Sequence, residues 1–210
     1  MVKNRKILLI CETNFVYSVI LAQDRNCGYL LDLASENKID IAIPEFSFLE
    51  VRGKIGERFK RREEKLGDII SFLNGLMRSE YHKRTLYDVK EKLKQLYINS
   101  PKEKNEVLQS AEEIKSLCIS IPHNAEISYR AFLRSVANLP PYKDNDRQIY
   151  ESILHFTKDK DEYDLIIFYT SDKEDFDHKE IRDELEEHSI EVYFDSGECL
   201  RRVKEELEHG

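Results

Sequence analysis

The sequence predicts an α/β fold in which helices flank a central parallel sheet and a helical insertion interrupts the chain. At both ends, short apolar runs of strand composition alternate with segments whose apolar residues recur at helical spacing. The middle, residues 53–118, has almost no strand signal and is rich in Lys, Glu and Leu. Because 210 residues with 40% hydrophobic content suffice for one well-packed core, we predict a single domain over residues 1–210, with the insertion at 53–118.

The N-terminal part follows a βαβα order. Residues 7–11 form an apolar run that is too short for a stable helix and is typical of a buried parallel strand. Residues 14–34 carry apolar side chains at helical spacing and predict one helix. Residues 39–43 predict a second strand, which Pro44 ends, and a helix begins near Glu45.

The insertion is predicted to consist of helices that lie on the α/β core. Its apolar residues recur at helical spacing, and the Asn-Ser-Pro sequence at 99–101 indicates a break after which a helix restarts. A coiled-coil arm is the alternative, which the short run of heptads disfavours.

The C-terminal part returns to alternating helices and strands. Residues 124–139 predict an amphipathic helix, whose inner face carries Ile127, Ala131, Phe132 and Val136. The elements predicted after it are a helix over 147–155, a strand over 165–169, a helix over 177–188, a strand over 190–194 and a final helix over 198–208.

Composition argues against several classes of protein. The net charge of −8 disfavours binding nucleic acid through bulk charge but leaves room for a local basic groove. The apolar runs are far too short to cross a membrane, and the N-terminus lacks the layout of a signal peptide. The four cysteines form no CxxC pair, so they predict neither a zinc site nor a redox motif. We therefore expect a reduced, cytoplasmic protein.

Acidic residues stand at the ends of several separate apolar segments. Glu12 follows the first strand, and Asp172 follows the strand at 165–169. Because ligands bind beyond the carboxyl ends of parallel strands, we expect these carboxylates to meet Glu50, which follows the second strand, and Asp146, which stands at a helix start. Carboxylates packed together repel one another, and a bound Mg²⁺ or Mn²⁺ ion would relieve that repulsion.

Each acid alone has an ordinary structural interpretation. Asp146 would serve as a helix N-cap, and Glu12 would be an exposed residue at a strand end. The combination favours a metal site, because packing does not require a charge directly after a buried strand. Two alternatives stay open: Asp175 competes with Asp172 for the ion, and Asp144 competes less strongly with Asp146.

The order of these residues resembles that of the PIN-domain nucleases. The matching features are Glu12-Thr13-Asn14 after the first strand, the helix from Pro44 to Glu50, Asp146 at a later helix start, and Thr170-Ser171-Asp172 after a strand. The segments LPPYKDNDRQIYESIL and YTSDKEDF are similar to the branch with a long helical insertion between the second and third acids. The resemblance covers about residues 6–50 and 124–194, and it implies a three-layer, Rossmann-like arrangement.

This resemblance implies metal-dependent hydrolysis of phosphodiester bonds by an endoribonuclease of toxin or defence type, with single-stranded RNA as substrate. The carboxylates that would bind two Mg²⁺ or Mn²⁺ ions are Glu12, Glu50, Asp146 and Asp172, with Asp175. The side chains that would orient them are those of Asn14 and Ser171. The implied partners are RNA, a protein inhibitor or antitoxin, and a second copy of the chain in a homodimer.

Glu12 departs from the family pattern, which usually has aspartate at the first acidic position. Its extra methylene group moves the carboxylate by about one carbon–carbon bond, whereas a catalytic site tolerates roughly 0.5 Å of error. The alternative is therefore a catalytically degenerate PIN-like module that binds RNA or protein. A third alternative is an unrelated α/β domain, such as a phosphate-binding receiver or a nucleotide-binding fold. The absence of a GxGxxG or P-loop motif disfavours the nucleotide-binding version.

Basic residues near the predicted site are candidates for binding nucleic acid. The predicted phosphate contacts are Arg52, Lys54, Arg58 and Lys143. The ordinary interpretation is a solvated helix with ion pairs between neighbouring turns; for Lys143 we favour a solvated loop residue. Tyr142 precedes the predicted site, and stacking on a base is one interpretation of it; we favour packing under the insertion. The six histidines show no ligand spacing.

Overall fold

A computed structural model gives the fold of residues 6–209, so the two ends of the predicted domain, residues 1–5 and 210, lie outside the described residues. The chain divides into two compact units. One contains the described residues up to Val51 and from Ala111 onward, and the other is Arg52–Ser110. The first unit holds the sheet, and the second is helical. The organisation as one domain with an insertion over 53–118 stays a prediction.

Within residues 6–209, a five-stranded parallel sheet forms the centre of the first unit. Its strands, which pair in the order β3-β2-β1-β4-β5, are β1 (Ile7–Cys11), β2 (Asp40–Pro44), β3 (Ile119–Ile121), β4 (Leu165–Tyr169) and β5 (Ile190–Tyr193). The central strand β1 pairs with β2 on one side and β4 on the other, and all of its residues are buried. The predicted strands at both ends of the chain therefore join one parallel sheet.

Helices of the first unit cover both faces of this sheet. The helices of residues 6–209 are α1 (Thr13–Ile20), α2 (Arg25–Ser35), α3 (Glu45–Leu76), α4 (Glu80–Leu117), α5 (Ala125–Val136), α6 (Asp144–Thr157), α7 (Lys173–Phe176), α8 (Lys179–Glu187) and α9 (Ser196–His209). Leu8 and Ile10 of β1 share a core cluster with α6 and α8. Tyr169 of β4 contacts Phe15 of α1 on the opposite face, since side chains alternate along a strand. The predicted three-layer α/β fold class is confirmed. Among these helices, none is both long and apolar enough to span a membrane.

The prediction of one helix over residues 14–34 is wrong, because the structure divides this segment into α1 and α2. Ala22 has a φ of 50°, in the left-handed region that ends a helix. Asp24 then accepts a hydrogen bond from the backbone N–H of Asn26 at 2.8 Å and caps α2. The apolar spacing continues through the turn, so periodicity alone did not reveal it.

The break predicted around Pro101 is also wrong, because α4 runs through this residue without interruption. A proline inside a helix removes a backbone donor and clashes with the preceding turn, which costs about 3 kcal/mol. Neighbouring side chains offset this cost. The buried Ser100 donates a hydrogen bond to Glu63 at 2.8 Å, and Arg62 reaches both Ser100 at 3.1 Å and Glu103 at 2.7 Å. These contacts join α3 to α4 on both sides of the proline.

The edge strand β3 was not predicted from the sequence. It has three residues, Ile-Ser-Ile, which is too short a run for an alternating pattern to be recognised. Its Ile121 stands in register opposite Pro44. Pro44 is therefore the last residue of β2, rather than the residue that stops the strand before it.

The inner face predicted for α5 is partly wrong. Ile127 and Ala131 are buried as expected, but Phe132 is 60% exposed and Val136 is 68% exposed. Arg134, at 7% exposure, points inward instead. A hydrophobic pattern cannot indicate this orientation, because it depends on charged partners elsewhere in the chain.

Two buried or half-buried carboxylates bind Arg134. Its Nε donates to Glu151 and its Nη2 to Glu184, both at 2.7 Å, and its Nη1 donates to the carbonyl oxygen of Pro140 at 2.6 Å. The guanidinium carbon also lies 4.7 Å from the centre of the Tyr150 ring. We call Arg134, Glu151 and Glu184 the Arg134 network; it connects α5, α6 and α8.

Candidate metal centre

The structure places the four predicted acids around the carboxyl-terminal edge of the sheet. Glu12 directly follows β1, and Asp172 comes three residues after β4, the neighbouring strand. Glu50 lies in the second turn of α3, the helix that begins immediately after β2. Asp146 lies in the first turn of α6, three residues beyond the N-cap position at Lys143. The N-cap interpretation therefore does not account for Asp146.

Three aspartates form a compact group. Asp146, Asp172 and Asp175 each offer a carboxylate oxygen, and these oxygens lie within 4.8 Å of one another. Asp172 also caps α7 by accepting the backbone N–H of Asp175 at 3.2 Å. Asp144 is exposed and pairs instead with Arg147 at 2.5 Å. The three clustered residues, called the aspartate group below, thus include both candidates for the fourth acid and leave out Asp144.

Glu12 is buried, and the protein itself binds both of its carboxylate oxygens. Oε2 accepts the backbone N–H of Asn14 at 2.8 Å, which caps α1, and Oε1 accepts the hydroxyl of Thr170 at 3.1 Å. Burial, aided by the charges of Asp146 and Glu50, raises the pKa of Glu12 to about 7, although both hydrogen bonds act in the opposite direction. Glu12 therefore shares the electrostatic field of the other acids while it fixes the start of α1.

Glu50 is half-buried and contacts the first turns of two other helices. Its Oε2 accepts the hydroxyl of Thr13 at 2.5 Å, and its Oε1 lies 3.4 Å from the amide nitrogen of Asn145. Thr13 begins α1, and Asn145 is the second residue of α6. These contacts orient the carboxylate of Glu50 toward the same edge as Glu12 and Asp146.

Repulsion among the acids affects the pKa of Asp146. Burial, followed by the charges of Asp175, Glu50 and Asp172, raises this pKa to about 6. The positive charge of Lys143 opposes the shift. The ammonium group of Lys143 also donates a hydrogen bond to Asp175, which raises the pKa of Lys143. Lys143 is thus an exposed loop residue whose charge offsets part of the negative charge of the aspartate group.

Three side chains that the sequence-based site did not include contact the acids: Thr13, Thr170 and Asn145. Each lies within two residues of a predicted acid, and this adjacency is the signal that would have found them. Asn14 contributes its backbone N–H to Glu12, and Ser171 is exposed. The roles assigned to the side chains of Asn14 and Ser171 stay predictions.

The donor set of this edge suits a hard divalent cation. Mg²⁺ and Mn²⁺ prefer carboxylate oxygens, and ligands on opposite sides of an octahedral Mg²⁺ lie about 4 Å apart. The oxygens of the aspartate group lie within a comparable span. A cation there would also offset the repulsion that raises the pKa of Asp146. The residues therefore fit a bound ion.

A parallel sheet with acids gathered beyond its strand ends defines a class of α/β domain that can bind a cation at that edge. A family model for the PIN domain matches residues 9–176, a range that contains all of the acids at this edge of the sheet. The chain belongs to the PIN-domain family, whose fold is of nuclease type and generally metal-dependent. The resemblance seen in the sequence is thereby confirmed. No curated protein and no solved structure matches the chain significantly.

The pKa of Glu12 predicts how stability depends on pH in the absence of metal. The ordinary glutamate pKa is 4.5, whereas Glu12 in the folded protein titrates near 7. Between these values the folded protein keeps a proton that the unfolded chain has released, so stability falls as the pH rises through this window. The loss is roughly 3 kcal/mol for this group and is complete above the folded pKa.

Glu12→Gln should remove this contribution, because the amide stays neutral at every pH. In EDTA, the variant should match the unmodified protein at about pH 5 and exceed its unfolding free energy at about pH 8, as measured by urea unfolding. Glu180→Gln, a change at an exposed residue of α8, is the control and should follow the unmodified protein. Identical pH profiles for Glu12→Gln and the unmodified protein would contradict the prediction.

Proposed function

We propose that this protein is an endoribonuclease that hydrolyses single-stranded RNA with two Mg²⁺ or Mn²⁺ ions. The aspartate group, Asp146, Asp172 and Asp175, carries the proposal because its oxygens lie within 4.8 Å of one another. Glu12 and Glu50 supply two further carboxylates, whose charges act on Asp146 or on each other. Five carboxylates exceed what one ion requires, which supports a two-ion site.

The chain's own contribution is to orient these acids before an ion binds. Thr13 holds Glu50, while Thr170 and the backbone of Asn14 hold Glu12. Preorganised ligands need little rearrangement when the ion enters, which favours tight and specific binding. Bound ions would lower the pKa of an attacking water and stabilise charge on the leaving oxygen of the phosphodiester.

Local positive charge would hold an RNA strand near an otherwise acidic protein. Lys143 is 59% exposed beside Asp175 and would contact a phosphate oxygen. Arg52, Lys54 and Arg58 are exposed at the start of the helical unit, and we propose that they bind phosphates along the strand. Such contacts make affinity fall with salt, with a slope of about 0.7 per neutralised phosphate for single strands.

RNA cleavage of this kind suits a toxin-like or defensive role. A nuclease that acts on cellular RNA must be restrained, so a protein inhibitor or antitoxin is part of the proposal. A homodimer is proposed with it, from the family resemblance alone.

Cleavage assays with and without divalent ions test the proposed reaction. We expect single-stranded RNA to be cut with Mg²⁺ or Mn²⁺, to stay intact in EDTA, and to be cut again once Mn²⁺ is restored. DNA and duplex RNA of matched sequence should be cut more slowly. Failure to cut any of these substrates with either ion would overturn the proposal.

A degenerate PIN-like module is the second candidate, and glutamate at position 12 favours it. The family usually has aspartate there, and the extra methylene group moves the carboxylate by about one carbon–carbon bond, whereas a catalytic site tolerates roughly 0.5 Å of error. Calorimetric titration with Mn²⁺ at about pH 8 separates the two candidates. Retained RNA binding without measurable Mn²⁺ binding would favour the module.

A further inference from the structure

An exposed aromatic ring directly precedes Lys143, the residue that pairs with Asp175 of the aspartate group. Tyr142 is 48% exposed, so the packing predicted for it from the sequence is wrong. Its ring meets that of His178 edge to face, with the ring centres 5.3 Å apart. The imidazole of His178 is held in turn, because its Nε2 lies 3.0 Å from the carbonyl oxygen of Glu174 and donates to it.

The same two segments carry the aromatic pair and one edge of the acidic cluster. Lys143 follows Tyr142 directly and forms an ion pair with Asp175, and His178 comes three residues after Asp175. The ring pair and the ion pair are therefore successive contacts between one loop and the region of α7. An aromatic ring and a cation that pairs with the aspartate group are therefore held by the same two segments.

A nucleotide combines the chemical groups that such a surface would bind. Its phosphate suits Lys143 and the proposed ions, and its base offers a flat π face to Tyr142. A free phosphate has no flat π face that could stack on the exposed ring of Tyr142. A base in a duplex has both faces covered by its neighbours, so only an unpaired base can stack on a side chain.

We propose that Tyr142, supported by His178, stacks on an unpaired base next to the phosphodiester bond that is cut. This inference rests on the proposed function and deepens it, since it makes Tyr142 a base-binding residue that selects single-stranded RNA. Tyr142 does not take part in the chemistry of cleavage. Its contribution is to binding and to the choice between single strands and duplexes.

Fluorescence of a purine analogue placed in a single-stranded RNA tests the inference without turnover. Stacking on an aromatic ring quenches the analogue, so the RNA is titrated in EDTA with the cleavage-deficient Asp146→Asn protein. In the Asp146→Asn background, Tyr142→Ala should weaken RNA binding by roughly tenfold to a hundredfold and abolish quenching. Adding Tyr142→Phe, which keeps the ring, should change the affinity less than about threefold. Tyr29→Ala, at an exposed tyrosine of α2, is the matched control and should have no effect.

The outcomes separate this inference from the proposed reaction. Equal affinity for single-stranded RNA with and without Tyr142→Ala would overturn the inference. Absence of quenching in the Asp146→Asn protein would also overturn it. An equal loss of duplex binding would also overturn it, because the ring would then not select single strands. If quenching depends on Tyr142 but the unmodified protein cuts no RNA with Mn²⁺, the stacking site stands and the proposed reaction fails.

Discussion

Asp146→Asn is expected to reduce metal-dependent cleavage at least about 100-fold. Loss of residues that merely orient metal ligands lowers metal affinity or activity about 10- to 100-fold, so loss of a ligand should cost no less. Asp146 lies in the aspartate group, and the amide would replace one charged oxygen there. The variant should also show weaker Mn²⁺ binding by calorimetry.

The loss should not come from unfolding. The pKa of Asp146 is raised to about 6 by burial and by neighbouring acids, so its charge destabilises the metal-free protein at neutral pH. Removing that charge should keep or raise the melting temperature in EDTA. Asp144→Asn is the matched control, because Asp144 is exposed on the same helix and pairs with Arg147. Equal loss of cleavage in both variants would contradict the assignment of Asp146.

Arg134→Met is expected to destabilise the protein by about 3–5 kcal/mol. The substitution removes one member of a buried ion network, which leaves the carboxylate of Glu151 buried without its partner. It also removes the donors to Glu184 and to the carbonyl oxygen of Pro140. Methionine fills much of the same volume, so the loss reflects charge and hydrogen bonding more than a cavity.

Urea unfolding measures this effect, and a second arginine on the same helix provides the control. Arg130 forms an exposed pair with Glu126, one turn away. Such surface pairs contribute about 0–1 kcal/mol, so Arg130→Met should hardly change the unfolding free energy. A loss under about 1 kcal/mol for Arg134→Met would show that the buried network does not stabilise the fold.

The positions of the acids could be predicted because residues that follow neighbouring parallel strands lie at the same edge of the sheet. β1 and β4 are apolar runs without interruption, and Glu12 and Asp172 follow them. Once two strands run the same way, the residues after them must lie at the same edge. The positions of Glu50 and Asp146 do not follow from the strands alone, because they also depend on where α3 and α6 begin. The family resemblance supplied that expectation.

Other features could not be predicted because they depend on partners far away in the chain. Periodicity predicts that Phe132 and Val136, rather than Arg134, face inward on α5. Arg134 is buried instead because it pairs with Glu151 and Glu184. The two hydrogen bonds of Glu12 depend on the rotamer of one side chain, which no pattern of residues encodes. β3 needs the edge of β2 to pair with, because three residues carry no signal of their own.

The hydrogen bond between Thr170 and Glu12 also bears on when the site can form during synthesis of the chain. It joins residues 158 positions apart, and β1 finds its partner β4 over a similar distance. At about 5–20 residues per second, roughly 8–30 seconds of synthesis separate the first acid from the last strand of the site. A growing chain close to ribosomal RNA therefore lacks a complete cluster of acids until the residues that follow β4 have been made. The order of strands delays the proposed activity until β4 can pair with β1.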